Sequence, residues 1–225
     1  MPMTLAALMV TQAETLRSLF QTLTATSCPY QYNFHLHTIC SDGQLTPQQV
    51  AQQAMIHGLK GFAITDHHAL EGYFQARTYV EAYPGSDRPQ VFTGIEITAQ
   101  LLDTEVHILG YGFDPHAPIL HLYAMGSAPQ GELAAAERVI AVLHEAGGLA
   151  ILAHPARYRL PAEQLIPAAI ARGIDGIETY YCYGNPDPWQ ATPDTTAFLH
   201  QIALEHQLLE TCGTDTHGQD ILLRR

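Results

Sequence analysis

Seven short apolar stretches, each running into histidines or carboxylates, alternate along this chain with helix-forming segments. They are YNFHLHT (32–38), GFAITDHH (61–68), VFTGIEIT (91–98), EVHILGY (105–111), GLAILAHP (148–155), GIDGIETYY (173–181) and LLETCGTDTH (208–217). Apolar spacing predicts helices over Pro47–His57, Leu70–Ala82, Leu133–Ala146, Ala162–Arg172 and Asp194–His206. Thr46 and Pro47 suit the N-cap and first turn of the first, and Gly58, Gly147 and Gly173 read as stops. Strands alternating with helices imply a parallel sheet. Metal-capable residues at six of the seven strand ends favour a closed barrel, whose chemistry gathers at the C-terminal ends of its strands. An open sheet would concentrate its ligands at one switch point. The expected fold class is therefore α/β, a distorted seven-stranded (β/α)7 TIM-like barrel over residues 31–225. Residues 1–30 form an N-terminal helical extension, its helix over 4–25 carrying Leu5, Leu8, Leu16, Phe20 and Leu23 at helical spacing.

Hydrophobic residues make up 47% of the 225 and charged residues 14%, enough for a sizeable core and too apolar for disorder. The net charge is −12 and Lys60 is the only lysine, which excludes a diffuse basic surface for stable duplex nucleic-acid binding. A phosphorylated partner would be met by a few placed arginines or by metal ions. Thirteen histidines in so acidic a chain point to a metal enzyme. Cys28, Cys40, Cys182 and Cys212 form no CxxC pair and read as reduced thiols of a cytoplasmic protein. No apolar run approaches the ~20 residues of a membrane span, and the start lacks the basic segment of a signal peptide.

His35 and His37 sit two apart on one strand and so share a face. Asp42 follows in an SDG turn, where an Asx turn is its ordinary use. Asp66-His67-His68 closes the second strand. Glu96 is more pointed, because a carboxylate inside an apolar strand costs several kcal/mol unless paired or metal-bound. His107 and His154 have a similar setting, for which one backbone hydrogen bond is the usual explanation. Asp215 and His217 repeat the two-apart pattern. So many nitrogen and oxygen donors at strand ends suit Mn²⁺, Fe²⁺ or Zn²⁺, and they would saturate one ion, so two or three divalent ions are expected.

The series HLHTICSDG, ITDHH, GIEIT, VHILGY, AHPARY and GTDTH, from Asn33 to Gly218, resembles the PHP (polymerase and histidinol phosphatase) superfamily of metal-dependent phosphoesterases. Within it the chain is similar to small bacterial members that act on nucleoside 3′,5′-bisphosphates or short oligonucleotide ends. The resemblance implies a trinuclear site. His35, His37, Glu96 and Asp215 would hold one metal, Asp42, His67 and His217 a second, and Glu96, His107 and His154 the third, with Glu96 bridging. Glu96, Asp215 and His217 are thereby expected to carry catalysis. Clustered metals would lower the pKa of a bridging water and clamp a phosphoryl group for in-line attack. An acidic residue at position 42, where histidinol phosphatases often place His, favours the nucleotide branch over a histidinol-phosphatase-like one. Arg157, in AHPARY, is the expected phosphate contact, with Arg159 a weaker second. His68 departs from the Asp often found there. Only 46 residues separate His107 from His154, too few for the large cap of related nucleotide phosphatases. Glu178 is expected either to orient a ligand or to be structural, and Tyr183 and Trp189 to anchor packing or stack on a base.

The expected activity is hydrolysis of a phosphomonoester on a small phosphorylated substrate, a nucleotide or short oligonucleotide. Two other readings are an amidohydrolase-type C–N hydrolase and a non-catalytic metal-binding regulatory domain. The first often needs a lysine after a strand, whereas Lys60 precedes one. The second would tolerate lost ligands, yet all nine positions carry ligand-competent residues.

Overall fold

A computed structural model describes residues 5–225, with side chains from Gln12 onward; the side chains of Leu5 and Leu8 lie outside the described residues. Helix α1 (Leu5–Phe20) leads to β1 (Tyr32–Asn33), α2 (Pro47–Ile56), β2 (Gly61–Ala63), α3 (Glu71–Ala82), β3 (Gln90–Phe92), β4 (Gly94–Leu101) and β5 (Thr104–Tyr111). Two 3-10 turns, Pro118–Tyr123 and Gly131–Ala134, precede α4 (Ala136–Glu145). The chain continues through β6 (Leu149–Leu152), α5 (Ala162–Ile170), β7 (Gly176–Tyr180), α6 (Pro193–His206) and β8 (Leu209–Cys212).

Local chemistry explains these boundaries. Helix α2 starts on a capping box: Gln49 N–H donates to Thr46 Oγ1 (3.2 Å), and Thr46 N–H donates to Gln49 Oε1 (2.8 Å). Its buried positions Pro47, Val50, Ala51 and Ala54 recur at helical spacing, and Gly58 ends it in the left-handed region at φ +70°. Gly147 and Gly173 stop α4 and α5 likewise. Strands β6 and β7 are buried along their whole length, as strands covered on both faces must be.

Two sheets result, β1-β2-β3 and β4-β5-β6-β7-β8, rather than one continuous barrel ladder. Single bridges link them, Leu36 to Thr216 and His67 to Glu96. At those seams Asp215 (φ 56°) and His68 (φ 51°) adopt left-handed backbone, which interrupts the pleat where a ladder would continue. With β3 and β4 counted as one strand broken at Thr93, seven strand segments remain. The sheet is also not all parallel: β5 runs antiparallel to β4 and β6. A two-residue turn joins β4 to β5, with Leu102 at φ 51° and Asp103 at φ 55°, the type I′ geometry that forces an antiparallel hairpin. No helix among the described residues is long and apolar enough to cross a membrane.

The N-terminal helix belongs to the body of the fold. Leu16, Phe20 and Leu23 are buried, and Phe20 meets Phe34 and Tyr111 edge-on with ring centroids at 5.0 and 5.6 Å. Asp175 ties helices to the sheet, accepting from Arg17 (2.6 Å), the Ala150 N–H (2.9 Å) and the His144 ring (2.7 Å). Burial pushes its carboxyl up, but these partners win and hold it below its ordinary value. A carboxyl so depressed contributes stability above its unfolded pKa of about 3.9, and that contribution fades as pH falls through the lower folded value. Asp175→Asn should cost about 1–3 kcal/mol at pH 7. In urea melts from pH 7 to pH 3, the gap between variant and wild type should begin to narrow below about pH 4; a gap as large at pH 3 as at pH 7 would contradict this.

Candidate metal centre

The residues that carry chemistry meet at one end of the strands. His35 and His37 lie just past β1, His67 past β2, His154 past β6, and Asp215 and His217 past β8; Glu96 and His107 lie within β4 and β5. At the centre is Glu96, 1% exposed. Its Oε2 stands 3.0 Å from His35 Nε2, 3.0 Å from His37 Nε2 and 3.7 Å from His67 Nε2. Its Oε1 stands 2.9 Å from His107 Nδ1 and 3.5 Å from His154 Nε2. Asp215 Oδ1 lies 3.3 Å from His37 Nε2, and Asp42 Oδ2 lies 3.2 Å from His217 Nε2.

Three groups place donor atoms within 4.8 Å of one another: His35, His37, Glu96 and Asp215; His37, Asp42, His67 and His217; and His67, Glu96 and His107. The first matches the set that the sequence resemblance implied. In the second, His37 joins the expected trio. In the third, His67 stands where His154 was expected, although His154 still borders Glu96. His37 bears most directly on metal fit, because it is buried, its Nδ1 has no hydrogen-bond partner, and its Nε2 faces only the Glu96 and Asp215 oxygens at 3.0 and 3.3 Å. A nitrogen left without a partner costs free energy unless something outside the chain meets it. A mixed histidine and carboxylate donor set of this kind fits Mn²⁺, Fe²⁺ or Zn²⁺.

Charge in the site is balanced internally. Burial alone would push the Glu96 carboxyl up, but His35 and His107 hold it well below its ordinary value. Burial disfavours a charged His37 as well, yet Asp215 and Glu96 raise it to about 9. His67 and His154 have less compensation, so burial carries His67 down to about 4 and lowers His154.

A second layer holds these side chains. Glu178, fully buried in β7, lies 2.9 Å from His35 Nδ1 through one oxygen and accepts the His154 N–H (2.9 Å) through the other. It thus holds the His35 ring and the backbone at His154. Asp66 accepts from Thr38 N–H (2.6 Å), Thr38 Oγ1 (2.7 Å) and Ser41 Oγ (2.8 Å), fixing the loop that carries Asp42. Gly213 leaves room for His35, because a Cβ there would collide with the His35 Cβ. His68 turns aside, its Nε2 3.0 Å from Thr98 Oγ1.

Arg157 reaches the site but meets a carboxylate there: Nη1 donates to Asp215 Oδ2 (2.8 Å) and to Tyr181 OH (3.0 Å). Its side chain is still 38% exposed. Arg159 is exposed, with no hydrogen bond or ion pair to the cluster among the described residues. Trp189 is buried in the core, and the Tyr183 hydroxyl accepts the Ala156 N–H at 3.2 Å, so both anchor packing. Lys60 donates to Gln31 at 3.0 Å and enters β2 at the end opposite His67. All four cysteines are free. Sequence reading did not single out Asp66, Tyr181 or Arg224 as site residues. Only Asp66, beside two histidines, carried a local signal.

The family profile described as PHP domain matches residues 33–153. A phosphoribosyl 1,2-cyclic phosphate 1,2-diphosphodiesterase of Eggerthella lenta is 26% identical over 83% of this chain and 94% of its own length. The 5′-3′ exoribonuclease Rnm of Escherichia coli is 23% identical over 83% of this chain and 85% of its own. A 3′,5′-nucleoside bisphosphate phosphatase of Chromobacterium violaceum is 33% identical over 51% of this chain and 39% of its own. Among solved structures, a metal-dependent phosphoesterase from Bifidobacterium adolescentis superposes with TM-score 0.69 at 26% identity, covering 85% of this chain and 89% of that one.

Proposed function

Because the chain belongs to the PHP family, we propose that it is a metal-dependent phosphoesterase that removes a terminal phosphate, as a phosphomonoester, from a nucleotide or short oligonucleotide. One observation carries the reading: buried Glu96 stands among five histidine rings, and the Nδ1 of the buried His37 ring beside it has no hydrogen-bond partner. We assign metal holding to His35, His37, Asp42, His67, Glu96, His107, His154, Asp215 and His217. Two or three Mn²⁺, Fe²⁺ or Zn²⁺ ions bound there would supply a Lewis acid for the phosphoryl oxygens and water activation at neutral pH.

The chain's own residues do the rest. Glu96 and Asp215 bring the negative charge that concentrates cations in the cleft. Glu178 and Asp66 hold His35 and the Asp42 loop in place, so little reorganisation accompanies the reaction. Arg157, at the exposed rim, has guanidinium donors beyond the one on Asp215 and would orient a phosphate dianion. A terminal phosphate carries more charge than a diester and suits such a rim better. Lys60, bonded to Gln31 ahead of β2, is not placed to bridge two metals as the C–N hydrolase reading often requires.

Phosphate release by the Mn²⁺-loaded protein tests the proposal, with adenosine 3′,5′-bisphosphate, an aryl phosphate and a 5′-phosphorylated RNA oligomer as substrates. Release from the bisphosphate well above the aryl ester is the expected result. Nucleoside monophosphates from the RNA without inorganic phosphate would replace the monoester assignment with a diesterase one. No hydrolysis of any of them, with metal content verified, would overturn the function.

A further inference from the structure

Asp215 is gripped by one oxygen only. Its Oδ2 accepts from Tyr181 OH (2.7 Å), Arg157 Nη1 (2.8 Å) and Arg224 Nε (2.9 Å). Its Oδ1 stands 3.3 Å from His37 Nε2 and 3.5 Å from both His35 Nε2 and His217 Nδ1. A carboxylate oxygen with three donors has no lone pair left to offer. Oδ1 is therefore the oxygen that faces the ligand cluster.

The two arginines differ in how they are held. Arg157 is 38% exposed, whereas Arg224 is 11% exposed and sits on a strap, residues 219–225, that is tied down along its length. Gln53 of α2 donates to Gln219 O (2.9 Å) and accepts the Ile221 N–H (3.0 Å). Asn33 donates to Ile221 O (2.9 Å), Thr216 Oγ1 donates to Leu223 O (2.6 Å), and His217 N–H donates to Arg224 O (2.8 Å). Ile221 is fully buried. So many anchors fix where the Arg224 guanidinium can point.

We propose that Arg224 is a positioning residue that fixes Asp215 as a one-oxygen ligand, which makes the 219–225 strap part of the metal centre although it supplies no ligand. This rests on the metal-dependent reading above. Two effects of removing Arg224 oppose each other, so the sign is informative. Loss of a positive charge beside a cation site tightens binding, whereas a carboxylate free to rotate or to engage both oxygens weakens it. The asymmetric grip on Oδ2 places the weight on orientation, because Arg157 continues to neutralise the carboxylate when Arg224 is gone.

The test is a Mn²⁺ titration against a chromogenic chelator for wild type, Arg224→Gln and Arg224→Lys, with thermal unfolding of each metal-free protein alongside. Arg224→Gln should weaken Mn²⁺ binding about 10- to 100-fold, the range for groups that orient ligands. Arg224→Lys keeps the charge without the fixed guanidinium plane and should recover only part of the loss. In an Asp215→Asn background, Arg224→Gln should change nothing further. Unchanged or tighter binding by Arg224→Gln overturns the inference, as does equal weakening in the Asp215→Asn background, which would mark a merely structural role. If Arg224→Gln does not fold, Arg224→Lys decides by the same criterion. A wild type that binds none of Mn²⁺, Fe²⁺ and Zn²⁺ sinks the phosphoesterase reading and this inference together; a binding wild type with an unaffected Arg224 variant sinks only the inference.

Discussion

Glu96→Gln is expected to lower phosphate release at least about 1,000-fold while leaving the fold intact. The side chain keeps its volume and one carbonyl oxygen, so the core around Ile95 and Ile97 is not opened. What disappears is the anionic charge shared by two of the three ligand groups. Metal-assisted stabilisation of a phosphoryl transition state is worth several kcal/mol, and about 4 kcal/mol corresponds to the 1,000-fold quoted. Bound metal should fall in parallel, because a neutral amide is a poor ligand for these ions. Elemental analysis of the purified variant measures that loss and the phosphate assay measures the rate. Activity within tenfold of wild type, with metals retained, would remove Glu96 from the centre of the site.

The sequence makes several of the candidate ligands legible by simple patterning, while Asp42, His107 and His154 stand out only through the family resemblance. His35 and His37, and again Asp215 and His217, share a face by strand periodicity, and Glu96 interrupts an apolar run that has no other use for a charge. The same signal was present at Glu178 in GIETYY, where a carboxylate inside a fully buried strand needs a partner. Its partner, His35, lies 143 positions away, and no local spacing reveals that. Arg224 and Tyr181 are hidden for the same reason: their meeting point, Asp215 Oδ2, exists only once β7, β8 and the strap are assembled.

The fold departed from expectation at two places, both for local backbone reasons. The β4–β5 hairpin turns on Leu102-Asp103 rather than on the Asn-Gly or Asp-Gly pair that advertises a type I′ turn, so two apolar runs read as independent parallel strands. The barrel ladder breaks at His68 and Asp215, residues whose left-handed backbone is costly for side chains with a Cβ. His68 follows the candidate ligand His67, and Asp215 is itself a candidate ligand. His154, a third site residue, is held at φ 27°. Three of the seven non-glycine residues with positive φ among the described residues thus lie at or beside the site, where continuous pleating would alternate the side chains and aim some of them away from the cleft.

Glu178 is the residue on which that arrangement turns, and its replacement should have the second-largest effect. Glu178→Ala would leave the His154 N–H and His35 Nδ1 without partners in a fully buried setting. Breaking a buried charged network in this way costs about 3–5 kcal/mol, enough to unfold a marginal domain at 37 °C. Glu178→Gln separates orientation from stability. Its amide keeps one acceptor oxygen, which can still take the His154 N–H, but it then turns an NH₂ group towards His35. His35 Nδ1 can no longer hold a proton towards that neighbour, so Nε2 loses its fixed role as the lone-pair donor facing Glu96 and Asp215. Mn²⁺ affinity should fall about 10- to 100-fold in Glu178→Gln, with urea stability within about 2 kcal/mol of wild type. Glu178→Ala should instead lose most of its stability. If Glu178→Gln binds Mn²⁺ as wild type does, the carboxylate serves the core alone, and His35 is oriented by the strand that carries it.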